Sequence, residues 1–425
     1  MKTYLEPQKT LPVAAETDVL ILGGGPAGVG AALAAARNGA DVLLIEQSGM
    51  IGGVATSGGM SHWTGGTRGG IYDEILDRAA LGNNNPQTGK QDINTEVLRT
   101  VLLEMLDECG VKWQLYTFAC APIMDKNVVK GVITESKSGR EAIMAKVIID
   151  CTGDGDISAL AGVGFNKGRD DGKMQPMTLM FKVGGVDYER ALFPGSFETT
   201  FPVEQGDLQS LAKERLPNPA GHVLLYKNDL PGVVSVNMTN CTDVDGTDVR
   251  DLTKADYICR KQMTKIIEFL RDVVPGYENC YALTSAAYIG VRETRRLKGL
   301  YTLTEDDIQQ AREFEDWVVA KAHFNFDVHN ITGSGLDKTG VQHNFKQNKG
   351  YTIPYGCFIP EKIDNLLFAG RIISGTHIAH SNYRVMPICV NMGQAVGIAA
   401  SISVKKNILP RNVDAKEVQE IIRNK

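Results

Sequence analysis

Residues 18–47 read DVLILGGGPAGVGAALAAARNGADVLLIEQ, and no other stretch constrains the fold as strongly. Residues 19–22 form a short β-branched and aliphatic run, the pattern of a buried strand. Gly23, Gly25 and Gly28 follow with G-x-G-x-x-G spacing. An alanine-rich segment then favours helix and stops at Gly39, a fitting C-cap. A second apolar run ends at Glu46. Strand, glycine turn, helix and strand together make a βαβ unit, the context in which this glycine spacing carries meaning.

Each glycine has its own expected task. Gly23 permits the turn out of the strand, Gly25 lets backbone approach a pyrophosphate, and Gly28 lets the helix lie close to the sheet. The helix N-terminus offers free N–H groups and partial positive charge to phosphates. Glu46, 18 positions after Gly28, can accept hydrogen bonds from ribose hydroxyls and would repel a 2′-phosphate. The unit therefore points to a dinucleotide other than NADP, and by itself does not separate NAD from FAD.

The rest of the chain separates them. Residues 48–66 contain seven glycines, a bare loop along which an extended ligand can lie. Residues 94–109 have helical spacing, with Val97, Val101, Leu102, Met105 and Leu106 on one face and Gly110 beyond the end. Three strand-like runs between 111 and 150 read as a meander whose last strand returns to the sheet. Glycines recur after strand-like runs at 153 and 155 and again at 370. From 387 a slim helix follows, with Pro387 near its first position. Three glycine-marked strand ends suggest one sheet edge converging on one long ligand. No second G-x-G-x-x-G unit is present, so FAD is the economical reading.

Composition is that of an ordinary globular protein: 425 residues, 43% hydrophobic and 22% charged. The formal net charge of -5 argues against a nucleic-acid partner or an anionic membrane surface. The N-terminal residues lack the apolar core of a signal peptide, and no uninterrupted apolar run is long enough to span a bilayer. Eight scattered cysteines without a C-x-x-C pair suit reduced thiols in a cytoplasmic protein and do not suggest a metal site.

The segments GGVATSGG, VIIDCTGDGDISALAG, GVRETRRLKGLYTLT, YTIPYGCFIP and NLLFAGRIISGTHIAHSNYRVMPICVNMGQAVGIAA, with the first βαβ unit, resemble the FAD-dependent oxidoreductases of glutathione-reductase-type fold. The likeness touches most of the chain except about 165–285. It implies that Gly23, Gly25, Pro26, Ala27 and Gly28 serve the pyrophosphate, and that Glu46 and Gln47 serve the adenosine ribose. It places Cys120 near the adenine, and Gly53, Val54, Ala55, Thr152, Gly153 and Asp156 along the cofactor. Gly370, Arg371, Met386 and Gly393 complete the implied set, with the 387–400 helix aimed at the flavin. No attachment pattern is evident, so non-covalent FAD is expected; His62 is the one residue that invites the opposite view. The C-x-x-x-x-C of disulfide reductases is absent.

The expected fold class is α/β: a Rossmann-like FAD-binding domain with a three-stranded β-meander, plus an inserted α+β substrate domain. The expected boundaries are 1–164 and 350–405 for the FAD domain, 165–349 for the insert, and 406–425 for a C-terminal surface helix. Within the insert, residues 251–274 and 304–324 read as helices, the second capped by Thr304.

For chemistry, His377 is the expected acid/base and Arg384 an anchor for a carboxylate or carbonyl. Arg292 and Arg295 share a face if their segment is helical and diverge if it is a strand. Tyr351 and Tyr355 line the site or pack beside it; His323, His329 and His343 read as surface. The expected function is hydride transfer between the flavin and a small organic substrate, polar or anionic, with an electron partner the sequence does not name. A fumarate-reductase-like alkene reductase and a non-catalytic flavin sensor are the alternatives, and a homo-oligomer is left open.

Overall fold

The computed structural model describes residues 2–67, 69–82, 92–197, 199–337, 345 and 347–424. The βαβ unit forms as β1 (Val13–Leu22), α1 (Pro26–Arg37) and β2 (Val42–Ile45). Two helices, α2 (Ile71–Ala80) and α3 (Thr95–Glu108), precede β3 (Lys112–Gln114). The Asn94 side chain caps α3 by accepting from the backbone of Glu96. The buried face of α3 uses Leu98 with Val101, Leu102, Met105 and Leu106, whereas Val97 is half-buried. The meander follows as β4 (Phe118–Asp125), β5 (Val128–Ser136) and β6 (Gly139–Asp150).

These strands make one sheet in the order β3-β2-β1-β6-β5-β4, joined on β6 by strand Leu366–Phe368. The first half of β6 pairs antiparallel with β5, while its second half lies parallel between β1 and Leu366–Phe368. Register aligns the strand ends: Leu22 faces Ile45 and Asp150, and Asp150 faces Phe368. Everything that follows those ends therefore gathers at one sheet edge, the crevice where parallel α/β sheets bind ligands.

Helix Met386–Lys406 lies beside α1, and the two approach through glycine. A Cβ on Gly393 would sit 1.9 Å from the Ala27 carbonyl oxygen, and one on Gly397 would sit 2.3 Å from that of Ala31. Both contacts advance together, so the helices run in the same direction and start at the same edge. Met386–Lys406 is long and apolar enough to cross a membrane, yet 94% of its most apolar window is buried inside the protein. It is the central core helix.

A second, antiparallel sheet has the order Leu225–Lys227, Val234–Val236, Phe181–Gly184, Tyr281–Ser285. Helix Val249–Val273 covers it, burying Ile266, Phe269 and Leu270 against Phe181, Val183 and Val236. Met177, Leu179, Met180, Cys259 and Ile289 form a separate, smaller cluster.

The helix expected over 304–324 is corrected. Thr304 and Asp307 form a full capping box, but the helix is only Glu305–Gln309. Ala311 adopts φ 51°, which no helix continues through. Trp317–Ala322 is a strand paired with Tyr351–Pro354, in keeping with its Trp-Val-Val start. Leu297, Leu303, Val318, Val319 and Phe326 belong to the largest core, together with β1, β6 and α1.

Candidate active site

A cavity of ≈ 680 Å³ opens at the aligned strand ends. One end is lined by Glu46, Gln47, Ser48, Thr117, Phe118 and Ala119. The Glu46 carboxylate is buried and accepts from the backbone N–H groups of Gly24 at 2.7 Å and Ser48 at 2.8 Å. Those bonds hold it rigidly at the end of β2, and a carboxylate retains further acceptor positions for a diol. Cys120 does not line the cavity; its thiol donates to the Ile133 carbonyl, and the neighbouring Phe118 and Ala119 face inward.

The middle is built by the three distant glycine-marked segments. Gly23 has φ +95°, and a Cβ there would meet the Cys151 carbonyl at 2.6 Å. A Cβ on Gly28 would sit 1.8 Å from the Gly23 carbonyl, so Gly28 serves packing and does not line the cavity. A Cβ on Gly25 would meet no atom of the described residues within 4 Å. Gly25, Pro26 and Ala27 line the cavity at the start of α1, which has no side-chain cap. Gly53 and Val54 face them, while Ala55 is buried beneath.

Asp150, unnoticed in the sequence, ties down the second segment. Its carboxylate accepts from Thr152 Oγ1 and Ser158 Oγ, both at 2.7 Å, and from the N–H groups of the same two residues. Thr152, Gly153, Asp154 and Asp156 then line the cavity. Burial and the nearby Asp154 charge raise the Asp156 carboxyl above its ordinary pKa. Gly370 and Arg371 complete this part, with Arg371 Nη2 2.8 Å from Asp154 Oδ1.

Beyond the start of Met386–Lys406, which also lacks a side-chain cap, the cavity continues into a polar compartment. Arg384 Nη2 donates to Asp327 Oδ2 at 2.8 Å, and His329 Nε2 lies 3.3 Å from the same oxygen. Arg292 Nη1 donates to the Pro176 carbonyl at 2.7 Å and to Thr178 Oγ1 at 2.6 Å. Among the described residues no carboxylate pairs with Arg292. Burial and the neighbouring Arg384 push the Arg292 guanidinium down to about 10. Burial and Arg292 push His329 down to about 4, so its imidazole is neutral at pH 7. Burial opposes ionisation of Asp327, but His329, Arg384 and Arg292 outweigh it and hold the carboxyl well below its usual range.

His62 also lines the compartment. Its Nδ1 lies 2.5 Å from Asp92 Oδ1, and its ring stacks on Tyr226 at 4.6 Å with 4° between planes. Nε2 makes no hydrogen bond among the described residues.

Several expected residues lie elsewhere. His377 is outside the cavity: its Nδ1 is 2.7 Å from Glu293 Oε1, and Glu293 also pairs with the buried Arg296. Tyr355 is buried and donates to the Pro410 carbonyl at 2.8 Å, and Tyr351 donates to Asn382 at 2.6 Å. Gly393 packs on α1. Arg292 and Arg295 do not act as a pair: Arg295 starts a short strand, Arg295–Leu297, and binds Asp156 at 2.7 Å. His323 is exposed, but His329 is buried in the compartment and not on the surface; His343 lies outside the described residues. His329 and Asp327 do not stand out in the sequence, because a polar loop pattern does not reveal that the loop folds inward; Thr178 and Asn237 do not, because they are single polar residues in strand-like apolar segments.

The arrangement suits FAD. Two uncapped helix starts face a long cavity, Gly25 leaves room where a side chain would stand, and Glu46 waits at the strand end. The profile of the family described as FAD dependent oxidoreductase matches residues 18–422. No curated protein sequence matches the chain. Among solved structures, a geranylgeranyl bacteriochlorophyll reductase-like protein from Thermoplasma acidophilum is similar at TM-score 0.50 and 14% identity, over 96% of this chain and 84% of that one. The p-nitrophenol 4-monooxygenase PnpA from Pseudomonas putida DLL-E4 is similar at TM-score 0.48 and 12% identity, over 96% and 83%. At such identity the first likeness speaks for the fold alone. The match over nearly the whole chain, joined to a cavity that suits the cofactor, places this protein among the FAD dependent oxidoreductases: it is an oxidoreductase whose cofactor is FAD.

Proposed function

We propose that this enzyme moves a hydride between N5 of non-covalently held FAD and a small polar or anionic organic molecule bound in the compartment of Arg292, Arg384 and His62. The observation that carries this reading is Arg292, a cation facing the cavity without a carboxylate partner among the described residues. Asp327 lies near enough to favour the Arg292 charge but is already paired with Arg384, and an anionic ligand supplies the direct partner that Arg292 lacks.

In this reading Glu46 and Gln47 hold the adenosine. Gly25, Pro26, Gly53, Thr152 and Gly153 follow the pyrophosphate, and Gly370, Arg371 and Met386 lie nearer the flavin. Bound FAD supplies the two-electron chemistry. The start of Met386–Lys406 favours negative charge near it by about 0.3–2 kcal/mol. His62, not His377, carries the proton: it faces the cavity, and Asp92 fixes its ring through Nδ1. Nε2 is then left to take a proton from a substrate O–H or N–H, or to return one. The chain divides, in the same reading, into an FAD domain and an inserted substrate domain. The insert's C-terminal seam falls near 295, because Leu297 to Phe326 pack in the first core.

The test is to bleach the flavin spectrum anaerobically with a panel of small organic reductants, and to reoxidise photoreduced enzyme with a panel of oxidants. At least one organic compound should exchange electrons with the flavin faster than air does, and His62→Gln should slow that exchange. An enzyme that responds only to dioxygen, or a His62→Gln variant of unchanged rate, would contradict the reading.

A further inference from the structure

We infer that the compartment is built for a single carboxylate, so that the substrate is a small monocarboxylate with an apolar body and not a dicarboxylate. This deepens the proposed function and rests on it. Among the described residues, the charges that line the compartment are Arg292, Arg384 and Asp327. Arg384 and Asp327 form a direct ion pair, with Arg384 Nη2 also bonded to the Asp327 carbonyl at 3.0 Å. That pair is neutral as a unit and already oriented. His329 leans on the same carboxylate and stays uncharged at neutral pH. One positive charge, Arg292, is left over.

The free donors agree with this count. Among the described residues Arg292 bonds through Nη1 alone, to Pro176 and Thr178, which leaves Nη2 and Nε available for a carboxylate. The Thr178 hydroxyl accepts from Arg292 and keeps its own hydrogen to donate. The Asn237 side chain lines the same wall; its buried Oδ1, without a partner among the described residues, is an acceptor and suits a donor on the ligand, not the carboxylate. Met60, Met180, Leu252 and Ile289 supply an apolar wall for the rest of the molecule. A second carboxylate would find Arg384 already engaged. It would also face Asp327 and, behind His62, Asp92. Like charges at close range raise its cost.

The experiment titrates FAD-loaded enzyme with three probes of similar size: butanoate, succinate and butanamide. Binding is read from the difference spectrum of the bound flavin, and separately from the thermal shift of flavin-free protein. Butanoate should bind at least tenfold more tightly than either other probe, about 1.4 kcal/mol. Arg292→Gln should remove that advantage while leaving butanamide binding as it was. The wild-type comparison stands even if that variant does not fold. Tightest binding by succinate, equal binding by all three, or no binding by any would overturn the inference. Enzyme that holds no flavin would instead refute the cofactor placement, since the thermal-shift arm reads the anion site without it.

Discussion

His62 presents Nδ1 to Asp92 Oδ1 at 2.5 Å, inside the cavity and against the face of Tyr226. A carboxylate on Nδ1 sets the tautomer in which Nε2 is the acceptor. Asp92→Asn can offer its amide N–H instead, which leaves the proton on the wrong nitrogen. Turnover with any reactive substrate should fall roughly 10²–10⁴-fold, as when an acid/base is lost or misprotonated, with FAD still bound. His377→Ala is the control. Its site lies outside the cavity, so the rate constant for flavin reduction should change less than about threefold while stability drops by about 1–3 kcal/mol, since the buried Glu293 carboxylate loses a hydrogen-bond partner. Stopped-flow reduction and denaturant unfolding separate the two outcomes; a slow His377→Ala with a normal Asp92→Asn would reverse the assignment.

Gly25 and Gly28 are two letters of one motif with opposite expected behaviour. Gly25 has φ -72°, and its added Cβ would meet no atom of the described residues within 4 Å. Gly25→Ala should therefore fold with stability within about 0.5 kcal/mol of the parent, yet lose at least about tenfold in FAD affinity as the methyl enters the cofactor's space. Gly28→Ala drives Cβ to 1.8 Å from the Gly23 carbonyl, and should cost about 3 kcal/mol or more of stability. Thermal unfolding without FAD, paired with FAD titration, checks both.

Acid should destabilise the protein earlier than carboxylate titration alone would. Burial lowers His222 to about 3 and His329 to about 4, against about 6.5 in an unfolded chain. Between those values the unfolded chain binds protons that the folded one refuses, so stability rises with pH in this window and is lost as pH falls from about 6.5. Asp327 acts lower down: its depressed value gives stability above the unfolded value near 3.9, lost as pH drops further. His222 Nε2 lies 3.1 Å from the Asn237 carbonyl, a bond that His222→Gln can keep. That variant should flatten the decline between pH 6 and 4 by up to about 1.4 kcal/mol per pH unit. Urea unfolding across this range measures it, and an unchanged slope would show that His222 titrates normally.

The parts legible in the sequence were those set by neighbours in the chain. Turn, helix start and strand length of the first βαβ unit depend on residues a few positions apart, and the register of Leu22 with Ile45 and Asp150 follows. Arg384 and Arg292 draw notice as cations near flavin-family motifs, and both line the cavity. His329 does not, because its surroundings come from Phe197 at 5.2 Å and from Arg292 and Asp327, residues far apart or unremarkable in sequence. His377 was misplaced for the converse reason. Nine positions before Met386 along the chain, it turns away to Glu293 instead of towards the cavity. Residues 317–322 look helical in sequence because Thr304 and three acids mark a true helix start, whose end at Ala311 depends on one backbone angle.

That one FAD molecule lies along Glu46, Gly53, Thr152, Gly153 and Gly370 is tested most directly by releasing the cofactor. Protein purified without added flavin, then denatured in acid, should yield FAD at about one per chain, as a single extended site requires. In Glu46→Ala that occupancy should fall by more than half. Release of FMN, retention of flavin on the denatured chain, or full FAD occupancy in Glu46→Ala would contradict it.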